Sequence, residues 1–394
     1  MDNLVLVNKV GGPTLAILTS PLDDVRRDQV VLNWLLSDGS MKINPSTIAL
    51  KLDGSPAPGA QVTFTESASG GSLVFDDTGN LWSSGEHTWS LSFSDSNVPP
   101  VSVTNSGKFI VNPYPTEGTF VIEAEDFNYD SGKFNPQVGV PDLDVNVMPY
   151  LGGAYDGSNA TAQVDYNGDD GNDSDFYRSE LDATGSNAVN IISNTGGRWG
   201  TDRGTYTTTV SYRLGWVGGG EWENYTRVFP KTNYNVWAAL SRDTRDPNIV
   251  GGTLQLVAGN PTTTNQTTYP YGTINAPGTG GWGRNMLLPV KTPAGALATV
   301  RMDGQQTVRF THGAGGDFDY LLFVPTGSPV NVGPIVTSIS RNGNNLTVTW
   351  VGGGTLYSAP SLTGPWTTTN DSDGSYTESV GAGPKYYRAA LTAF

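Results

Sequence analysis

Cysteine is absent from the 394-residue chain, which excludes disulfides and thiolate metal sites. Histidine is nearly absent. His87 and His312 lie in different segments, so no zinc spacing and no Ser-His-Asp or Cys-His set assembles within one of them. Charged residues make up 15% of the chain, yet no apolar run approaches membrane-spanning length, and membrane insertion is not expected. Amphipathic helical stretches are missing too. The few charges are one-sided, at net −15 with a pI near 4.4. Such a chain repels phosphate backbones, so nucleic acid is not expected as a partner, and it disfavours anionic ligands unless a cation or an arginine stands near. No signal peptide follows Met1. Because "MDNLVLVNK" begins almost directly on a strand, a native leader is expected to be missing from this sequence.

What the chain has in quantity is glycine (50) and proline (25), with a heavy load of Thr, Ser and Asn, all of which favour turns and strands over helices. Short alternating runs such as "TIALKLDG", "HTWSLSFSD", "TLQLVAG" and "LTVTW" recur between turn residues. The chain reads as all-β and multi-module. Residues 1–115 form a first set of strands ending at the proline-punctuated "VNPYPTEG". Residues 116–326 form a second, longer region that closes on "YLLFVPTGSPVNVGP". Residues 327–394 form a short third one. Trp34 and Trp89 alternate with polar neighbours and read as core residues of the first region. "SGEHTWSLSFSDSNV" followed by "SGKFIV" resembles bacterial immunoglobulin-like modules. "LTVTW" and "LTGPW" give the third region a resemblance to small fibronectin-type modules.

The central region runs through "FVIEAEDF", "GWVGGGEWENYTRVFP", "NYNVWAALSR", "GTGGWGRNMLLPV" and "THGAGGDFDYLLFVP" in that order. This succession resembles family 6 carbohydrate-binding modules and their family 35 relatives. The resemblance implies a β-sandwich jelly roll whose first and last strands hold a structural calcium ion, here through Glu123, Glu125 and Asp319. Two carboxylates at i and i+2 on a strand face one way, and a third from a distant strand adds charge to the six to eight oxygens calcium needs. The alternative for Glu123 and Glu125 is a solvated acidic face. The resemblance further implies a sugar site in the loops at one end. Trp216 and Trp282 would be its aromatic walls, Asp317 would stand where the family has asparagine, and Glu221 would belong to the acidic turn beside it.

The sugar reading has a physical basis. The C–H patch of a pyranose ring lies flat on an electron-rich aromatic face, and Trp216 and Trp282 both sit among glycines, where a large side chain can project outward. Trp222 and Trp237, with apolar alternation around them, read as core instead. An ionised Asp317 accepts hydrogen bonds from hydroxyls but would repel uronic acids or sulfates unless calcium or an arginine is near. Glu221 and Glu223, about 6.5–7 Å apart on one face of a strand, match a glycosidase spacing. They would, however, approach a sugar from the same side rather than flank it, so catalysis by the pair is not expected.

Between "EAEDF" and "GWVGGG" lies an insert of nearly ninety residues. Its aspartates, Asp165, Asp169, Asp170, Asp173 and Asp175, lack the register of a calcium loop and read mostly as a solvated acidic segment. Arg198 and Trp199 in "GGRWG" are candidates to border the sugar site, and His312 reads as a loop residue. The reading is a non-catalytic, extracellular or cell-surface polysaccharide-binding protein with calcium in its frame. Its rival is a structural filament or surface-layer component self-assembling through exposed edge strands.

Overall fold

The computed structural model describes residues 12–116, 119–135, 155, 158–168, 190–193, 198–199, 203, 211–248, 250–313, 315–326, 335–351, 355–372 and 374–390. They form two compact units, Met1–Thr116 and Glu117–Phe394. Among the described residues there is no α-helix, and one 3-10 turn spans Gly59–Gln61.

The first unit has strands Thr14–Ser20 (β1), Val25–Arg26 (β2), Val31–Ser37 (β3), Ile43–Leu52 (β4), Ser55–Pro56 (β5), Val62–Ser67 (β6), Gly70–Asp76 (β7), Gly85–Asp95 (β8) and Ser102–Asn112 (β9). They make a four-stranded sheet in the order β1-β3-β7-β6 and a five-stranded sheet in the order β2-β9-β8-β4-β5. Strand alternation builds the core between them: Leu32, Trp34 and Leu36 of β3 and Trp89, Leu91 and Phe93 of β8 all point inward. Trp34 meets Trp89 edge to face at 5.5 Å. Gly107 is required opposite Trp89, because a Cβ there would come within 2.8 Å of the indole.

The second unit holds Phe120–Glu123 (β10), Tyr166–Asn167 (β11), Asn190–Ser193 (β12), Tyr212–Val217 (β13), Trp222–Arg242 (β14), Val250–Ala258 (β15), Thr267–Ala276 (β16), Gly281–Pro289 (β17), Thr299–His312 (β18) and Gly316–Pro325 (β19). The 21-residue β14 organises them. It pairs with β18 from Trp222 to Asn235, while its second half lies between β19 and β17. One hydrogen-bonded array therefore runs β12-β13-β19-β14-β18-β15-β16, with β10 on β19 and β11 and β17 on β14. β19 is buried along most of its length. Its start pairs with β13 and its end with β10, both along the edge opposite β14. Phe120, Phe229 and Phe323 pack in the interior at 4.8–6.1 Å between ring centres.

The same unit ends in two three-stranded sheets. Ile335–Asn342 (β20), Asn345–Val351 (β21) and Ser375–Ser379 (β24) form one, and Thr355–Ala359 (β22), Thr367–Thr368 (β23) and Tyr386–Ala390 (β25) form the other. Val348, Trp350 and Leu356 are the fully buried residues at their centre.

From the insert, β11 pairs with the start of β14 and β12 with β13. Asp165 is buried rather than solvated, and it accepts the backbone N–H groups of Ser131, Gly132 and Thr161 at 2.7–3.0 Å. Asp169, Asp170, Asp173 and Asp175 lie outside the described residues.

Candidate functional site

Four adjacent strands, in the order β13, β19, β14 and β17, bring the sequence-predicted wall and floor residues to one end of the second unit. The register aligns Val217 with Gly316, Ser241 with Asp317, and Arg242 with Gly281. Trp216 and Trp282 thus stand on the outer strands of the row, with Asp317 and Ser241 between them. Three strand spacings separate their backbones by about 14 Å. Two rings in van der Waals contact with both faces of one sugar would be about 7–8 Å apart, so this spacing leaves room for both indoles to lean inward.

Local backbone explains why these two tryptophans leave the core. The β13–β19 register shifts between Leu214 and Val217, and Trp216 inside that irregularity has φ of +59°. A left-handed conformation costs a non-glycine residue about 1–3 kcal/mol and concentrates where function demands it. Trp282 lies between Gly280 and Gly283, both at positive φ, where the chain turns out of the pleat. Trp216 is 72% exposed and Trp282 52% exposed, and of the ten tryptophans they are the two that are exposed.

Between them the floor is charged and buried. Asp317 is 3% exposed and ion-paired with Arg213 at 2.8 Å. Burial pushes its carboxyl up to about 6, against the opposing pull of Arg213, the Gly283 N–H and Arg242. Ser241 Oγ accepts the Gly283 N–H at 3.0 Å, tying β14 to the Trp282 loop. The Arg242 guanidinium lies 5.7 Å from the centre of the Trp282 ring and donates to the Gly315 carbonyl. Sequence reasoning missed both arginines as members of the site, although "SYRLGW" and "LSRDTR" place them beside its motifs.

The two glutamates of the opening motif do separate internal work. Glu221 is buried and accepts the Gly218 N–H at 2.8 Å, so it holds the loop that follows Trp216. Glu223 is 0% exposed, and its Oε2 lies 3.0 Å from His312 Nε2. His312 is not a loop residue: it ends β18 in the core, edge-on to Phe310 and Phe318. Trp222 also departs from expectation. It is half-buried at the start of β14, with the Arg309 guanidinium 3.4 Å from its ring centre, and the fully covered stretch of the strand begins only at Glu223. Trp237 is fully buried, as its alternation predicts. Trp199 is buried as well, and the Arg198 carbonyl accepts the Asn285 N–H at 3.2 Å, so this pair lines the frame rather than presenting a platform.

The carboxylates expected to hold calcium lie at the end of β10 and two residues beyond Asp317 on β19. Glu123 ends β10, and Glu125 sits not on the strand but in the turn after it, where the Ala124 N–H returns to the Asp319 carbonyl at 2.8 Å. Glu123, Glu125 and Asp319 are all buried. Burial and the neighbouring Glu123, Asp126 and Asp319 raise the Glu125 carboxyl far above its ordinary range, and burial raises Asp319 to about 7 against the pull of Arg203. Arg203, itself 0% exposed, reaches Glu123 with Nε at 3.1 Å and Nη2 at 2.5 Å, and Asp319 with Nη2 at 3.5 Å. A calcium ion would need a shell of six to eight oxygens at 2.3–2.6 Å. As arranged, the cluster has a guanidinium in the space between two of the expected ligands, and this does not fit that shell. Among the described residues, no group of three His, Cys, Asp or Glu side chains is placed to hold a metal ion.

No protein-family model matches the chain, and no curated protein matches it. Among solved structures it is similar to a β-1,3-glucan-binding family 6 carbohydrate-binding module from Bacillus halodurans, at 16% identity over 34% of this chain and 85% of that one, with a TM-score of 0.24. It is also similar to a structure of carbohydrate-binding modules of the β-sandwich superfamily described as promiscuous in specificity, at 11% identity over 80% of this chain and 97% of that one, with a TM-score of 0.25. A third is a family 43 glycoside hydrolase, an arabinoxylan arabinofuranohydrolase from Bacillus subtilis, at 13% identity over 75% of this chain and 52% of that one, with a TM-score of 0.23. At these scores the likenesses assign neither a family nor an activity to the chain.

Proposed function

We propose that this protein is a non-catalytic polysaccharide-binding protein that grips sugar rings in the slot walled by Trp216 and Trp282. One observation carries the reading: the two exposed tryptophans of the chain stand on the strands at either side of a buried Asp317, which is ion-paired with the half-buried Arg213. Exposed apolar surface rimmed by polar groups commonly marks a binding site. Each ring offers an apolar face to the C–H side of a pyranose, while Asp317 accepts from its hydroxyls and the guanidiniums of Arg213 and Arg242 donate to its oxygens. The arginines also compensate the charge of Asp317, so a carboxylate-bearing sugar is not turned away. The flanking β-modules act as spacers, and the protein works outside the cell beside a glycan-degrading or surface-attached partner.

The carboxylates support binding without hydrolysis. Glu221 is engaged by the Gly218 N–H and Glu223 by His312, which leaves neither as an acid or base facing the slot. Affinity electrophoresis through gels holding a panel of neutral and acidic polysaccharides, with a reducing-end assay on each, tests the proposal. Retardation on at least one polysaccharide without release of reducing ends is expected. Free migration through every gel, or sustained release abolished by Glu223→Gln, would contradict it.

A further inference from the structure

Arg203 belongs to the long insert, 80 residues along the chain from Glu123 and 116 from Asp319, yet its guanidinium is fully buried between them. Its contacts use the whole fork. Nε and Nη2 donate to the two oxygens of Glu123 at 3.1 and 2.5 Å, Nη2 also approaches Asp319 Oδ1, and Nη1 donates to the Trp199 carbonyl at 3.1 Å. The Arg203 Cζ lies over the Tyr320 ring, 4.1 Å from its centre. The remaining Asp319 oxygen is taken by the Asn285 side-chain amide at 2.5 Å, and Ser211 Oγ lies 3.4 Å from Oδ1.

Glu123 and Asp319, buried side by side, need a cation to stay ionised, since each charge would otherwise stand uncompensated in a medium of low dielectric. A hydrated divalent ion is one solution and a guanidinium is another. The planar fork matches a carboxylate bidentately, stacks on an aromatic face and stays charged at every working pH. A metal entering this cluster would have to expel Arg203 and strand its charge in the interior.

We propose that Arg203 is the resident cation of the buried Glu123 and Asp319 carboxylates, standing where a structural metal ion would otherwise serve. In this role it ties Trp199 to β10 and β19, while Asp319 ties β19 to β17 through Asn285, so the strands that carry Asp317 and Trp282 are fixed without any metal. The inference rests on the cluster alone and is independent of what the slot binds.

Thermal unfolding of the full chain without any glycan, in EDTA and in excess calcium chloride, is the test, together with elemental analysis of the purified protein. The parent is expected to melt at one temperature in both solutions and to carry no stoichiometric calcium. Arg203→Met is expected to melt at least several degrees lower, as is Glu123→Gln. The double variant should lose less than the sum, because removing both members of a buried pair leaves no uncompensated charge. A parent that loses stability in EDTA, or that holds one calcium per chain, would overturn the proposal. So would an Arg203→Met variant that melts with the parent, or strict additivity in the double variant. Should a variant fail to fold, the chelation and elemental arms on the parent still decide.

Discussion

Under the proposed function, Asp317 is the residue on which the chemistry of the slot turns. Its ordinary value of 3.8 is raised by burial to about 6. Because the folded value lies above the ordinary one, ionisation works against the fold: stability present below about pH 4 declines as pH rises towards 6. Binding runs the other way, since the ionised form is the full acceptor for sugar hydroxyls. Affinity is therefore expected to be highest above pH 6 and to weaken as pH falls through that value, while Asp317→Asn should flatten the profile. Calorimetric titrations at about pH 5 and about pH 8 would show it. The tryptophans give a second contrast. Trp237→Ala empties a fully buried site and is expected to cost about 3–5 kcal/mol in denaturant unfolding. Trp222→Ala, losing mainly its stack with Arg309, should cost about 1–2 kcal/mol.

At the scale of elements, what was legible in the sequence follows from what periodicity records. Alternation marks Trp34, Trp89 and Trp237 as inward residues, and glycine flanks mark Trp216 and Trp282 as outward ones, because both signals are local. β14 shows what periodicity does not record: proline cannot donate to a ladder, yet the strand runs through Pro230, which sits inside a register shift between Phe229 and Thr232. Trp222 and His312 were misplaced for a related reason. Glu223, Asn224, Tyr225, Thr226 and Arg227 are buried in succession, so β14 is covered on both faces there and alternation carries no signal. Arg203 was not legible at all. It sits in "GTDRGTY" with neighbours that promise only a loop, and nothing in local pattern tells of a partner 80 residues away. Glu125 shows the limit of spacing arguments, because the i, i+2 rule holds only while the strand lasts, and β10 stops at Glu123.

At the scale of the whole molecule, a chain of net charge −15 keeps its candidate site near a local cluster of arginines. The terminal sheets, with Val348, Trp350 and Leu356 as their buried centre, have little apolar area to hold them. Trp350→Ala is accordingly expected to abolish amide protection in residues 335–390 by hydrogen exchange while leaving β13, β14, β17 and β19 protected and the slot able to bind. Loss of protection throughout the second unit would show that its parts fold together.

The slot itself is tested most directly by titrating Trp216→Ala, Trp282→Ala and the parent with the polysaccharide that best retards the parent, following intrinsic fluorescence and confirming the fold by circular dichroism. Stacking on one ring contributes about 1–3 kcal/mol, so each variant is expected to bind roughly tenfold to a hundredfold more weakly than the parent while remaining folded. Two folded variants that both bind with the parent's affinity would show that sugar does not rest between Trp216 and Trp282.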